Sequence, residues 1–506
     1  MTAKKNNKKD WLQKKNWMWI CFFLLAMLVG TGVRLYDLQD PPLDFHPTRQ
    51  LHSAVIARGM YYQMLDDAPE WKRQLSLQQW KSEGLIEPQI MEQLVAFSYK
   101  AIGEEKLWVA RIWPILFWTI GAVFLFLTVV KFSGPAGAAV SVMVYMIWPY
   151  TTIASRAFQP EPLLVMMIII ASWAFINFLH SRKGVWAILI GILCGLTIYV
   201  KVVALFFLAP AIAITLILRD GLKKTLINKF NWLIAVLAIL PYLLYHLYGT
   251  YILELLGSQF AFRFFPQRWI DPIFYLQWLS ELDNVFPIWL VVISFLTGIL
   301  CLNGVYRGFI IGYWIGYLIY GFTFSYHITT HDYYHMPLII PISIGLGTAA
   351  KFLLGKTRVS KLISKILLIF SLLFLLSWNV WEIRSILKRE DYQKEVDYWT
   401  NLGERLGHES RVIGLFQDYG YRLAYWGWMN VTPWRTTDDI YLREISGRDV
   451  TAVEEEQLKL KSFDYFIIAD REELQNQPEL LIYLQYNHLL MEENDLALVF
   501  KLSNPE

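Results

Sequence analysis

An α-helical polytopic membrane protein of about eleven transmembrane helices, closed by a small C-terminal α/β domain, is the fold class that three features of this chain predict. Of its 506 residues, 55% are apolar and only 18% charged. The apolar residues gather into runs of roughly 17 to 25, the length of a helix that crosses the hydrocarbon core of a bilayer. After residue 384 the composition changes, and charged residues return among shorter apolar stretches.

Taken in order, the chain begins with a basic tail, 1–16, that carries Lys4, Lys5, Lys8, Lys9, Lys14 and Lys15. Lys and Arg near span ends are retained in the cytoplasm, so the N-terminus is expected inside. A membrane domain over 17–384 follows. Its spans lie near 17–36, 107–130, 136–153, 163–180, 184–200, 202–218, 231–249, 285–303, 307–324, 335–352 and 363–383. The first span is long enough to remain as an anchor, and no small-x-small cleavage site follows it. The even-numbered spans end in Lys131, in Arg182 and Lys183, in Arg219, Lys223, Lys224 and Lys229, in Arg307, and in Lys351, Lys356, Arg358, Lys361 and Lys365. Every basic loop thus falls inside. An odd number of spans then puts the C-terminal domain outside the plasma membrane.

The first external loop, 37–106, is long. Pro41-Pro42 imposes an extended entry, and stretches 51–64 and 86–102 repeat apolar residues at helical spacing, as helices lying in the membrane interface do. The segment 250–284 has the same character, with Phe260, Phe262, Phe264, Phe265 and Trp269 interleaved with Arg263 and Arg268. In the final domain, 385–506, strands are expected at 411–416, 464–469 and 496–502, and helices at 450–460 and 471–485. The three cysteines, Cys21, Cys194 and Cys301, all lie in spans without CxxC spacing, which implies neither a disulfide nor a structural zinc. The net charge of +3 is accounted for by topology, so no nucleic-acid partner is implied.

The residues able to carry chemistry fall on the predicted outer side. Asp44 stands just past the first span with His46 and Arg49 beside it. The loop before the fourth span holds Arg156 and Glu161, the latter at the head of a helix opened by Pro162. Lys201 ends the fifth span within Tyr199-Val200-Lys201-Val202, and His331-Asp332-Tyr333-Tyr334-His335 precedes the tenth. Singly, each has a plain reading: Asp44 as a helix cap, Arg156 and Glu161 as a local ion pair, Lys201 as a snorkelling lysine, Tyr333 and Tyr334 as part of an aromatic belt. His331, Asp332 and His335 leave room for a divalent metal, although no cofactor is required. Ionisable groups at an apolar boundary are costly unless paired or wet, so their accumulation on one side points to a polar cavity.

A first span, an acid opening a long external loop, an Arg and an acid in the second external loop, many further spans and an external tail together resemble the GT-C superfamily of polyprenyl-phosphate-sugar-dependent glycosyltransferases. The resemblance is strongest to glycosyltransferase family 39, the protein O-mannosyltransferase-like proteins, and to the bacterial aminoarabinose transferases. It covers residues 17–383 and rests on the Asp44 loop, 156–162, 199–201 and 331–337. It implies a hexosyl- or pentosyltransferase that moves a sugar from a polyprenyl-phosphate donor to a lipid, glycan or protein acceptor, with inversion. Asp44 would be the general base, and Glu161 and Arg156 would orient it or the acceptor. Lys201, Arg263 and Arg268 would hold the leaving phosphate, and His331 and Asp332 would meet sugar hydroxyls. In that family the acid is commonly followed by Glu, whereas Phe45 and His46 follow Asp44 here, so His46 or Glu161 stands in for the missing acid. Two other classes fit a polytopic chain: a transporter or flippase for a lipid-linked saccharide, whose charges belong at the bilayer midplane, and a non-catalytic assembly factor.

Overall fold

The computed structural model describes residues 16–85, 87–256, 263–356, 361–447 and 460–502. The basic tail, Phe260, Phe262, Arg358 and nearly all of the helix expected at 450–460 lie outside these. Backbone packing divides the chain into two compact units. One comprises 1–38, 85–88 and 112–389, the other 39–84, 89–111 and 390–506.

The first unit is helical. Each apolar run read from the sequence corresponds to a helix, among them Trp17–Arg34, Glu161–Ser181, Gly184–Val200, Ala204–Asp220, Lys229–Tyr251, Gly304–Thr323, Ile339–Lys356 and Lys361–Leu387. The second and third runs form one stretch, Leu107–Ile147, broken at Gly134, where φ of 69° and ψ of 179° leave the helical region ahead of Pro135. Six of the described helices are long and apolar enough to cross a membrane. A seventh is reached if Pro272–Val285 and Ile288–Cys301, which meet at 86°, make one span. Trp232, Leu244, Phe370 and Trp378 are exposed on such helices, the surface expected of a protein solvated by lipid.

Small residues set the closest approach within this unit. Gly308, Gly312 and Gly316 form a stripe along Gly304–Thr323, and a Cβ at Gly312 would come within 2.5 Å of the Pro210 carbonyl, one at Gly308 within 3.3 Å of the Thr215 backbone. The stripe lets Gly304–Thr323 lie backbone to backbone against Ala204–Asp220, as small-xxx-small interfaces in membranes do. Trp118 stacks on Tyr145 at 4.3 Å and donates to its carbonyl at 3.1 Å, tying together the two halves of the broken helix.

Polar contacts also mark one end of this unit. Arg182 pairs with Asp220, Arg219 reaches the Leu179 carbonyl, the Lys351 ammonium donates to the Phe132 carbonyl at 2.6 Å, and Tyr306 contacts His180 at 3.0 Å. The helix ends bearing Lys131, Arg182, Arg219 and Lys351, all assigned to one side from the sequence, are thus joined by mutual contacts.

In the second unit, helices Pro47–Gln63, Glu70–Ser82 and Ile90–Ile102 come from the long loop. The last starts four residues later than the stretch 86–102 suggested, because Pro88 disfavours a helical residue before it. Residues 390–502 build a five-stranded sheet from β1 (Val412–Leu415), β2 (Val431–Pro433), β3 (Tyr465–Ile468), β4 (Leu489–Glu493) and β5 (Leu498–Lys501). The order is β2-β1-β3-β5-β4, parallel across the first three strands and antiparallel thereafter. Successive residues of β1 feed opposite faces: Ile413 and Leu415 join Phe466, Leu484 and Phe500, whereas Val412 joins Trp399, Leu402, Ile467 and Val499. Both faces are therefore covered, which explains the unbroken apolar runs of β1 and β3. The helix expected over 471–485 is two, Arg471–Asn476 and Pro478–Asn487, parted where Pro478 opens the second.

The two parts of this unit interlock. Gln79 donates to the carbonyls of Ala424 and Met429, each at 3.0 Å, and Arg58 donates to that of Tyr425 at 2.5 Å.

Candidate active site

Asp44 lies in the second unit on a short loop between the doubled proline and Pro47–Gln63. Pro47 opens that helix, and His46 takes a left-handed backbone at φ 41° to redirect the chain into it, a conformation costly for a side chain with a Cβ. The loop is held from inside. Gln50, fully buried, donates its amide to the Phe45 carbonyl at 2.5 Å and to that of Pro42 at 3.2 Å. Its amide also approaches Asp44 at 3.5 Å. The Asp44 carboxylate accepts from the Arg111 guanidinium at 2.7 Å, with side-chain exposures of 13% and 1%. Arg111 also reaches the Pro41 carbonyl at 3.4 Å. Charge-assisted bonds of this kind are about twice as strong as neutral ones, so the carboxylate is held in one orientation. Arg49 follows on the same helix, close enough to His52 and Tyr421 to act on both electrostatically.

A second group of polar residues lies in the first unit. Lys201 ends Gly184–Val200 in an extended conformation. Its ammonium is 2.5 Å from Glu161 and 3.2 Å from Glu87, and 5.9 Å from the centre of the Tyr333 ring. Lysine and Glu161 are both nearly excluded from solvent, which two opposite charges tolerate only when paired. Asp332 and Tyr150 interact through their side chains at the same place. Tyr334 stacks on Tyr320 at 5.5 Å and on His327 at 5.7 Å, and His331 packs against His327 at 5.6 Å while contacting Thr330 at 2.7 Å. Burial first, then the charges of His331, Arg263 and Lys201, push the His327 pKa down to about 3. Arg263 and Lys201 therefore act on one aromatic cluster. Arg268 stands at its edge, donating to Gln277 at 2.9 Å and Thr329 at 3.1 Å and lying 5.5 Å from the Tyr326 ring centre.

The Arg156 guanidinium donates to the Tyr36 and Asp37 carbonyls at 2.7 Å each, and Glu161 pairs with Lys201. Arg156 thereby clamps the backbone that leaves the first span. The metal reading of His331, Asp332 and His335 fails on two counts. Residues 332–338 form a 3-10 helix, in which positions i and i+4 do not share a face. Both His335 nitrogens are also engaged, one with Tyr317 at 2.8 Å and the other with the Ile328 carbonyl at 3.1 Å. Among the described residues no group of three His, Cys, Asp or Glu is placed to hold a metal.

Two residues that sequence reasoning missed are Arg111 and Glu87. Arg111 is the one charged residue within the apolar run 107–130, and that anomaly was its signal. Glu87 carried none, being one acid among several in a polar loop.

Comparison with known proteins finds two likenesses. The family model described as dolichyl-phosphate-mannose-protein mannosyltransferase matches residues 87–248, a stretch that contains Glu87, Arg111, Arg156, Glu161 and Lys201 but not Asp44. Among solved structures, ArnT from Cupriavidus metallidurans bound to undecaprenyl phosphate superposes with a TM-score of 0.57 at 13% identity, over 96% of this chain and 98% of that one. ArnT in the apo state gives 0.59 at 13% identity, over 97% and 98%. The oligosaccharyltransferase AglB from Archaeoglobus fulgidus, in complex with an inhibitory peptide and a dolichol-phosphate, gives 0.54 at 9% identity, over 90% and 70%. No curated protein matches. The family model thus supports the resemblance read from the sequence over residues 87–248, and the solved structures share the fold over nearly the whole chain.

Proposed function

We propose that this chain, which carries the fold of the GT-C glycosyltransferases, is an integral membrane enzyme that moves a sugar from a polyprenyl-phosphate donor to an acceptor on the outer face of the membrane. The observation that carries the reading is the Asp44–Arg111 pair, a carboxylate oriented on a loop pinned by Gln50, in a chain that matches ArnT from end to end. A general base must be fixed within hydrogen-bond reach of the proton that it takes, and the buried Arg111 guanidinium fixes Asp44 in this way.

In this reading Asp44 accepts the proton of the acceptor hydroxyl or amine, whose oxygen or nitrogen attacks the anomeric carbon opposite the departing phosphate and inverts it. Arg263 and Arg268 receive the negative charge that develops on the polyprenyl phosphate, guanidinium groups being suited to two oxygens at once. Lys201 contributes less than expected, because Glu161 and Glu87 already surround it. Tyr334, His331 and Asp332 offer hydrogen-bonding groups for sugar hydroxyls, and His46 helps to set the loop rather than to replace an acid. An apolar cavity of about 340 Å³ lined by Cys194, Leu208, Ile212, Leu216, Trp232 and Ala235 suits an isoprenoid chain.

The orientation proposed is N-terminus in the cytoplasm and C-terminal segment outside. The mutual contacts of the helix ends that bear Lys131, Arg182, Arg219 and Lys351 support a single basic side. The reading is tested by supplying membranes with polyprenyl-phosphate sugars and comparing the wild type with Asp44→Asn at matched expression. Transfer by the wild type and its loss in the variant are expected, whereas equal transfer would remove Asp44 from the mechanism.

A further inference from the structure

The second unit contains a cavity of about 790 Å³, within the range of sites that hold a small ligand. Its lining includes the indoles of Trp108, Trp426 and Trp428, the phenol of Tyr62, and the polar groups of Glu105 and Gln393. Four of the charges here are paired, and the fifth, the Lys72 ammonium, lies 5.4 Å from the Trp71 ring centre and 5.0 Å from that of Trp428. Arg58, buried to 3% exposure, donates to Glu105 at 2.9 Å and sits 3.7 Å from the Tyr425 ring centre and 4.0 Å from that of Trp428. Lys106 pairs with Glu104 at 3.4 Å. Tyr425 also donates to Glu105, so the floor is a fixed polar network beneath aromatic walls.

One wall is built at a cost. Trp428 has a backbone φ of 52°, in the left-handed region that bulky residues rarely occupy, and such strain persists only where the surroundings impose it. The preceding Gly427 is closely packed, a Cβ there coming within 2.7 Å of the Leu423 carbonyl and 3.0 Å of that of Trp399. A strained backbone that delivers an indole to a cavity lip is an observation independent of the cavity itself.

We propose that this cavity binds a neutral saccharide and is the acceptor subsite of the transfer reaction. Aromatic walls take the C–H faces of a pyranose, and Glu105 and Gln393 take its hydroxyls. Aromatic walls over a network of already paired polar groups favour a polyhydroxylated ligand, and the polar floor disfavours an acyl chain. Pro41, which lines the cavity, also accepts from Arg111 through its carbonyl at 3.4 Å, and Arg111 holds Asp44. The role as acceptor subsite rests on the glycosyltransferase reading, whereas the binding of saccharide does not.

The test is saturation-transfer difference NMR on the full chain in nanodiscs, with cellobiose, lactose, mannobiose and chitobiose as probes and a Ser/Thr-rich peptide as competitor. Saturation transfer to at least one disaccharide is expected. It should weaken about five-fold in Trp108→Ala, a loss in the range of one aromatic contact, and also in Gln393→Ala. Both side chains are exposed, so both variants should fold. No signal from any probe, a signal indifferent to both substitutions, or displacement by the peptide alone would overturn the proposal. If the chain binds disaccharide but transfers no sugar, the saccharide site stands and the enzyme reading falls. If it transfers sugar without such binding, the reverse holds.

Discussion

The Asp44 carboxylate and the Arg111 guanidinium are joined at 2.7 Å across 67 residues of sequence, tying the loop after the first span to the head of Leu107–Ile147. This pair orients the candidate base. Removing one partner from a buried pair leaves the other charge uncompensated, at roughly 3–5 kcal/mol. Arg111→Ala is therefore expected to cost about 3 kcal/mol, read as a lowered Tm in detergent, and to reduce kcat more than KM for the acceptor. Arg111→Lys should fall between, since it keeps the charge but loses the planar fork that also serves the Pro41 carbonyl. Wild-type turnover in Arg111→Ala would detach the pair from catalysis.

Lys201 faces two carboxylates, and Glu161 is the more buried, at 3% side-chain exposure against 23% for Glu87. Lys201→Met should lower the yield of folded protein, and Lys201→Met with Glu161→Gln should restore much of it, because the double change leaves no buried unpaired charge. Glu87→Gln should cost little stability. If Lys201→Met folds normally but loses donor affinity, the lysine is a phosphate ligand after all.

His52 gives the second unit a pH dependence. Burial, with the nearby Arg49 charge, pushes its pKa down from 6.5 to about 4, although its ring lies 3.3 Å from Glu83. The depressed value means that the folded state binds fewer protons than the unfolded one between these limits. Stability is therefore unaffected by His52 above about pH 6.5 and declines as the pH falls toward 4. Burial raises the Glu83 pKa, and Tyr421 donates to it, which opposes the decline where Glu83 begins to protonate. Comparing Tm at pH 7.5 and pH 5.5, His52→Gln should lose less on acidification than the wild type. An equal or larger loss would contradict the assignment.

Much of this structure could be read from the sequence, for reasons that also explain the gaps. Runs of apolar residues announced the helices from Trp17 to Leu387, and Ser133-Gly134-Pro135 marked the break between the second and third runs. Strands β1, β3 and β5 were legible because a strand covered on both faces is apolar throughout. Strand β2 is three residues ending in proline, and β4, Leu-Leu-Met-Glu-Glu, does not alternate, so neither has the pattern of a strand. At the site, residue types were readable but partners were not. Asp44 and Lys201 stood out as charges at apolar boundaries and Arg111 as the one charge in an apolar run, whereas Glu87 acquires meaning only when folding brings it to Lys201. The bonds of Arg156 to the carbonyls of Tyr36 and Asp37 are of a kind that no side-chain pattern reveals.

In the proposed mechanism Asp44 takes a proton and does not hold the donor. Purified wild type and Asp44→Asn, compared in parallel for binding of a polyprenyl phosphate and for turnover of the matching polyprenyl-phosphate sugar, test it most directly. The account predicts equal lipid-phosphate affinity and a loss of turnover of at least about 10² to 10⁴, the contribution of a positioned general base. Unchanged turnover, or a loss matched by an equal loss of lipid-phosphate binding, would contradict it.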